Sequence, residues 1–419
     1  MPDRAVQITV LGGSAVGTPE LIDALRRQGQ PTRPIHLVLH GRTHDKLDPV
    51  AHVTSVMAHG LDWLTVSAST ELAEALGGAE IVINQVRVGG LAARAFDETF
   101  PIPLGIPGEE TVGPGGFANA LRTVPAVLKL VKAIEQYAPA ALLLSFTNPA
   151  SVVQQAVTRT SRLRVIGLCD GPVTMIGWAA SALGLAPDQI QVDYLGMHHY
   201  GFITRVWHDS EDVTARMLAG LDRVAGIDID LDLIRSLGAL PTMFFRYFFH
   251  ADRMLEKQRR QIQSRAEQLQ VIEAELLAEY AHAEGRPAGL SKRSAKWYDA
   301  IIAPVLMTLI DRRTGTHIVN VVNGDTQPWL PPDAIIETPC LFDRGTVRPL
   351  AMPVPNREIE ARIQHNCAYE QLMVEAILEQ SQVKALRALC MNELVPTASQ
   401  ARAILDRIWP DADPARASR

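Results

Sequence analysis

The first 200 residues alternate short apolar runs with helix-patterned stretches, and this alternation limits what the chain can fold into more than any other feature. The runs Gln7-Ile8-Thr9-Val10-Leu11, Ile35-His36-Leu37-Val38-Leu39, Ile81-Val82-Ile83-Asn84 and Ala141-Leu142-Leu143-Leu144-Ser145-Phe146 read as short buried strands. Val165-Ile166-Gly167-Leu168 and Val192-Asp193-Tyr194-Leu195 complete the set. Helix-period segments such as residues 19–28 separate them. Apolar strands alternating with helices predict a parallel sheet covered on both faces. The expected fold is therefore α/β, with a Rossmann-like doubly wound parallel sheet over residues 1–200. After residue 201 the rhythm changes to a long, charge-rich helical run at 242–283 and further helices at 295–311 and 356–378. A second, mixed α+β lobe is expected there, at 201–419, for substrate binding and oligomer contacts. The tail after about residue 410, rich in Pro, Asp and Ala, reads as disordered.

Composition narrows the partners. A net charge of -6 gives no general attraction to nucleic acid or to anionic membrane. No stretch reaches the ~18 consecutive apolar residues of a membrane span. The polar start leads straight into a strand, so no secretory signal is read. Four cysteines in 419 residues are no disulfide framework and suit a reducing compartment. A cytoplasmic enzyme acting on a small molecule is the expectation.

The first strand runs into Gly12-Gly13-Ser14-Ala15-Val16-Gly17 and then into a helix. In this position a glycine turn lets backbone N–H groups and the helix dipole meet a pyrophosphate, although glycines also serve any tight turn. Gly12, Gly13 and Ser14 are thus candidate dinucleotide contacts, as is Asn84 at a later strand end. The second strand should close on an acid that holds the ribose hydroxyl. Here it reads Leu39-His40-Gly41-Arg42, and an arginine in place of that acid tolerates a 2′-phosphate. NAD is the expected cofactor, with Arg42 keeping NADP open.

Two other strand ends carry metal-type ligands. Val165-Ile166-Gly167-Leu168 runs into Cys169-Asp170, and the strand 192–195 into Gly196-Met197-His198-His199. Ligands gather at the carboxyl ends of strands in a doubly wound sheet, so Cys169 and His199 are candidates to share a metal. A thiolate and an imidazole suit Mn²⁺, Fe²⁺, Co²⁺, Ni²⁺ or Zn²⁺ better than Mg²⁺ or Ca²⁺. The bland alternatives are a buried apolar cysteine and a core histidine bonded to a carbonyl.

The chain resembles glycoside hydrolase family 4, the NAD- and divalent-metal-dependent glycosidases. The likeness runs through Gly12-Gly13-Ser14 with Thr18-Pro19-Glu20-Leu21, and Val86-Arg87-Val88-Gly89-Gly90-Leu91 with Arg94. It continues through residues 105–117, Ala120-Leu121-Arg122-Thr123-Val124-Pro125 and Phe146-Thr147-Asn148-Pro149-Ala150. Gly167-Leu168-Cys169-Asp170, residues 196–201, and Leu290-Ser291-Lys292-Arg293 through Tyr298 close it.

The resemblance implies that Cys169 and His199 hold the metal, most often Mn²⁺, and that Tyr298 is the base. It implies glycoside cleavage by transient oxidation at sugar C3, loss of the C2 proton, elimination of the leaving group, water addition and return of the hydride. This route is distinct from the paired-carboxylate mechanism. Asp170 is the implied acid for the leaving group, which favours α-glycosides; its alternative role is capping the next helix. Arg87, Asn148 and His198 are candidate substrate contacts, and a 6-phosphorylated or otherwise anionic sugar is expected. Family members are usually dimers or tetramers, which makes a homodimer or homotetramer the expectation. The alternatives are a net NAD(P)-dependent oxidoreductase of the malate or lactate type and a family glycosidase acting on an unphosphorylated sugar.

The chain also departs from the family pattern. Its first turn reads Ser14-Ala15-Val16-Gly17, the Asn-x-Arg-Asn segment reads Asn320-Val321-Val322-Asn323, and Gly171 follows Cys169-Asp170. His198 replaces an asparagine ahead of the metal histidine, where it adds a ligand, alters substrate contacts or competes with His199.

Overall fold

The computed structural model describes residues 4–409. The tail expected to be disordered lies outside the described residues. Six strands form the parallel half: β1 (Val6–Leu11), β2 (Ile35–His40), β3 (Leu64–Ser69), β4 (Ile81–Asn84), β5 (Leu142–Ser145) and β6 (Arg164–Gly167). They lie in the order 3-2-1-4-5-6, every neighbour parallel. That is the doubly wound order, and the reversal between β1 and β4 opens the crevice in which such sheets bind ligands. The apolar runs mark central strands because both faces are covered; β4 is buried at all four positions. β3, unforeseen from sequence, is the exposed outer edge, and its Leu-Thr-Val-Ser-Ala-Ser is too polar to read as a buried run.

The sheet does not stop at β6. It continues through β7 (Gln191–Met197), β8 (Tyr200–His208), β9 (Glu211–Asp212), β10 (Leu240–Pro241), β11 (Gly315–Val322), β12 (Ile335–Asp343) and β13 (Thr346–Pro349). β11 pairs with β6, β12 with β11, β7 with β12, and β8 with β7, each antiparallel. The expectation that β7 belongs to the parallel set is therefore corrected. β7 turns into β8 through two residues, and only antiparallel strands close over so short a turn. The expected division at residues 200 and 201 falls at the start of β8. Both buried apolar clusters draw residues from either side of it.

The helical run expected over 242–283 is three helices, Phe245–Phe249, Ala251–Arg259 and Arg265–Tyr280. The last starts at a capping box, in which Ser264 accepts from the Glu267 N–H and Glu267 accepts from the Ser264 N–H. The helix expected at 295–311 begins as a π-helical turn, Tyr298–Ile302, followed by Ala303–Ile310. Pro304 lacks the N–H that a regular helix would use one turn back.

A candidate metal and dinucleotide site

Cys169 lies two residues beyond β6, buried at 3% exposure. The N–H of Gly171, at the start of the helix Gly171–Leu183, donates to its sulfur at 3.3 Å. His198 and His199 are the whole turn of the β7–β8 hairpin, since Met197 pairs with Tyr200 and Gly196 with Gly201. Thus one ligand end comes from the parallel half and the other from the antiparallel half of one sheet.

His199 has φ of 61°, left-handed backbone that costs a non-glycine residue about 1–2 kcal/mol. Three contacts hold it there. Thr242 donates its hydroxyl to the His199 carbonyl at 3.0 Å, the Phe244 ring stacks on the imidazole at 3.5 Å, and Thr111 Oγ1 lies 2.8 Å from Nδ1. The Thr111 hydroxyl donates to Glu109, so its oxygen is left to accept the Nδ1 proton. The chain Glu109–Thr111–His199 thereby fixes the tautomer whose Nε2 carries a free lone pair, an outer-shell arrangement typical of metal-binding histidines. On its other face His199 stacks against His198, ring centroids 3.7 Å apart.

The ligand atoms of Cys169, His198 and His199 all lie within 4.8 Å of one another, and all three residues are buried. Burial holds the His198 pKa down to about 3 and, with His198 beside it, that of His199 well below the usual value. Both imidazoles are therefore neutral, the state that binds metal. Burial raises the Cys169 thiol well above its ordinary pKa, and the nearby Glu337 and Asp170 add to the rise. Only a bound cation would draw off that proton at neutral pH. The donor set, one sulfur and two imidazole nitrogens, fits a borderline divalent ion.

Behind the sulfur, Glu337 of β12 accepts from the Tyr194 hydroxyl at 2.5 Å and from the Asn320 amide at 2.9 Å. Burial pushes its pKa to about 7. Asp170 occupies the N-cap position of the helix Gly171–Leu183 without a side-chain capping bond, and burial raises its carboxyl above the ordinary range. A carboxyl whose proton is held more tightly by burial, next to the cluster, has the character of a proton donor.

The dinucleotide side is built at β1. Gly12 has φ of 82°, and a Cβ there would stand 3.0 Å from the Gln85 carbonyl oxygen. A Cβ on Gly13 would meet Leu39 Cα at 2.9 Å, and its N–H donates to the His40 carbonyl at 2.8 Å. Ser14 packs toward Gly41, where an added Cβ would approach it at 3.0 Å. Only glycine lets the turn close this tightly over the sheet. Arg42 is exposed just past β2. Asn84 ends β4 in full burial with its Oδ1 unsatisfied, a polar atom waiting for a donor. The cradle and the orphaned oxygen fit a dinucleotide.

Tyr298 is hydrogen-bonded on this side. Its hydroxyl donates to Gln85 at 2.7 Å, and the Gln85 amide in turn donates to the Gly12 carbonyl and to Thr18. Burial raises its pKa to about 12, away from what a base at neutral pH requires. To serve as the base that the resemblance implies, it would need a bound cation close enough to lower that value. Asn148 is half-buried three residues beyond β5. Arg87, expected to meet an anion, is ion-paired with buried Glu110, which Arg94 also holds at 2.9 Å. Arg293 is the freer cation. It lies over the Trp297 ring at 4.7 Å with no carboxylate within ion-pair distance among the described residues. Burial, with Arg87 and Arg94 close by, lowers its pKa to about 10.

Sequence reasoning missed Glu109, Thr111, Phe244, Gln85 and Glu337. Glu109 and Thr111 lie inside the segment 105–117 that carried the resemblance, so a signal was present. Phe244 sits in an apolar run, and Glu337 in a strand, where nothing local marks either.

Against known proteins, residues 7–185 match the model of the family 4 glycosyl hydrolases, and residues 194–395 match that family's C-terminal domain. A probable 6-phospho-β-glucosidase of Bacillus subtilis is 30% identical, over 97% of this chain and 96% of the relative. Among solved structures, the 6-phospho-β-glucosidase of Thermotoga maritima with manganese, NAD⁺ and glucose-6-phosphate superposes at a TM-score of 0.88 with 29% identity, covering 96% of this chain and 97% of that one. A 6-phospho-α-glucosidase from gut microorganisms, bound to NAD and glucose-6-phosphate, gives 0.87 at 25% identity over 98% and 100%.

Proposed function

The chain belongs to family 4 of the glycosyl hydrolases, and from that premise we propose that it hydrolyses 6-phosphorylated glycosides with NAD and a divalent metal, Mn²⁺ first among candidates. The observation that carries this reading is the buried Cys169–His198–His199 cluster beside a dinucleotide cradle, which a plain dehydrogenase has no use for. The relatives that bind NAD, manganese and glucose-6-phosphate support it. The exposed Arg42 at the end of β2 keeps NADP as a second cofactor to test.

When bound, the dinucleotide would supply a reversible hydride acceptor for the sugar C3 and the cation a Lewis acid for its hydroxyl oxygens. Cys169 and His199 would hold the metal, with Thr111 and Glu109 keeping the His199 lone pair turned inward. Gly12, Gly13 and Ser14 would receive the pyrophosphate, and Asn84 would accept a hydrogen bond from the cofactor or sugar. Asp170 would protonate the departing group. Arg293 is the cation we assign to the sugar phosphate, with Arg87 released from Glu110 as its helper, while Asn148 would meet sugar hydroxyls. Tyr298, on this reading, braces Gln85 at the dinucleotide turn. We also propose a homodimer or homotetramer in the cytoplasm, in keeping with the exposed Val271 and Val383 on the second-half helices; light scattering reads the former.

The test is incubation with Mn²⁺, NAD⁺ and nitrophenyl glucosides of both anomers, with and without a 6-phosphate. Nitrophenol release from a phosphorylated glycoside, with no build-up of NADH, is the expected result. Steady NADH accumulation would point to a net oxidoreductase, and equal turnover without the phosphate would remove the anionic substrate.

A further inference from the structure

His198 is the cluster member whose part is least explained by a two-ligand metal site. In a hairpin, neighbouring side chains ordinarily point to opposite faces. Here the left-handed backbone of His199 brings both imidazoles into one stack, Phe244 on His199 on His198, with centroids 3.5 Å and 3.7 Å apart. The strained turn is buttressed by Thr242 and Thr111, so the paired orientation is built in. His199 has a hydrogen-bonding partner for Nδ1, but neither ring nitrogen of His198 has one among the described residues, although the residue is only 5% exposed. The imidazole lines a pocket with Thr111, Tyr200 and Glu370, so a ring nitrogen with no hydrogen bond to the protein is open to a ligand. The His198 ligand atom lies within 4.8 Å of those of Cys169 and His199.

We propose that His198 is a third protein ligand, so that the metal is held jointly by the Cys169 thiolate and the adjacent imidazoles of His198 and His199 in the β7–β8 turn. This rests on the reading of Cys169 and His199 as metal ligands. Its consequence is chemical. Two imidazoles with a thiolate favour Co²⁺, Ni²⁺ or Zn²⁺ over the harder Mn²⁺. Three protein ligands also leave fewer positions for substrate oxygens, as in other catalytic sites with three protein ligands. The chain should therefore select its metal differently from a site with one cysteine and one histidine.

Affinity for Co²⁺, Zn²⁺ and Mn²⁺ is measured by competition with a chromophoric chelator on the wild type, His198→Asn, His199→Asn and Cys169→Ser, with the visible spectrum of each Co²⁺ form. We expect His198→Asn to keep the thiolate-to-cobalt charge-transfer band and to change the ligand-field bands. It should weaken Co²⁺ and Zn²⁺ binding by more than the ~10–100-fold typical of losing an outer-shell partner, while Mn²⁺ binding changes least. Unchanged affinity and spectrum in His198→Asn, with binding lost in Cys169→Ser and His199→Asn, overturns the third ligand and leaves the metal site standing. Unchanged binding in all three variants overturns the metal site with it. Apo-protein melting temperatures check folding, and His198→Gln replaces the asparagine variant if that one does not fold.

Discussion

At the scale of single residues, the site depends on protons held in particular places. The tautomer of His199 is set by a hydroxyl, Thr111 Oγ1, whose own proton goes to Glu109. Thr111→Val keeps the shape and removes the acceptor, so divalent-metal affinity should fall about 10–100-fold with little change in melting temperature, as chelator competition would reveal. The Cys169 thiol, raised by burial, must lose its proton to bind metal, so apparent affinity should climb about tenfold per pH unit near neutrality. A flat pH profile would mean that the sulfur is not a ligand. Tyr298 makes a different kind of prediction. Its hydroxyl holds Gln85 against the dinucleotide turn, so Tyr298→Phe should raise the NAD dissociation constant by no more than about tenfold and leave deuterium exchange at the sugar C2 intact. Loss of that exchange with unchanged NAD affinity would restore it as the base.

At the scale of elements, the β7–β8 hairpin presents two metal-type side chains because its strands approach very closely. Gly201 lies under the Tyr194 ring, and a Cβ added there would come within 2.1 Å of the Tyr194 hydroxyl, which is itself bonded to Glu337. Gly201→Ala should displace Tyr194, cost about 1–3 kcal/mol in thermal unfolding, and weaken metal binding because the turn shifts with the strand. A stable variant with wild-type metal affinity would show that the hairpin tolerates the change. The equivalent argument at β1 explains Gly12 and Gly13, where the backbone of one strand end lies against the next. These glycines were visible in the sequence as a turn. Gly201 was visible only as part of a motif, since its reason lies in a ring packed from the facing strand.

At the scale of the molecule, one sheet of 13 strands carries both halves of the site, and buried carboxyls accompany it. Burial raises Asp97 to about 6, despite its pairing with Arg122, and Glu370 to about 7. Each has a folded-state pKa above its unfolded value. Their contribution is fully present below the unfolded pKa, where both states are protonated, and is lost as pH rises through the folded value, because the unfolded chain releases the proton more readily. Apo protein should thus be less stable at about pH 8 than at about pH 5, by on the order of 1 kcal/mol for each such group. Thermal melts across that range read the slope, and a slope of the opposite sign would mean that these carboxyls are ionised in the fold.

The sequence by itself determined five of the six parallel strands, because covered strands must be apolar along their length and helices must separate them; the exposed edge β3 lacks that signal. It also determined that a glycine turn follows β1, and it marked Cys169, Asp170, His198 and His199 as chemically unusual residues at strand ends. Tertiary structure decided what those residues do together. Strand direction is absent from an apolar run, so only pairing showed β7 to be antiparallel and its end to be a hairpin turn. Long-range contacts placed Tyr298 at Gln85, tied Arg87 to Glu110, stacked Phe244 on His199 and seated Glu337 behind the sulfur, since each partner lies more than 20 residues away. A local pattern encodes the period and the turn; it does not encode which distant side chain arrives to meet them.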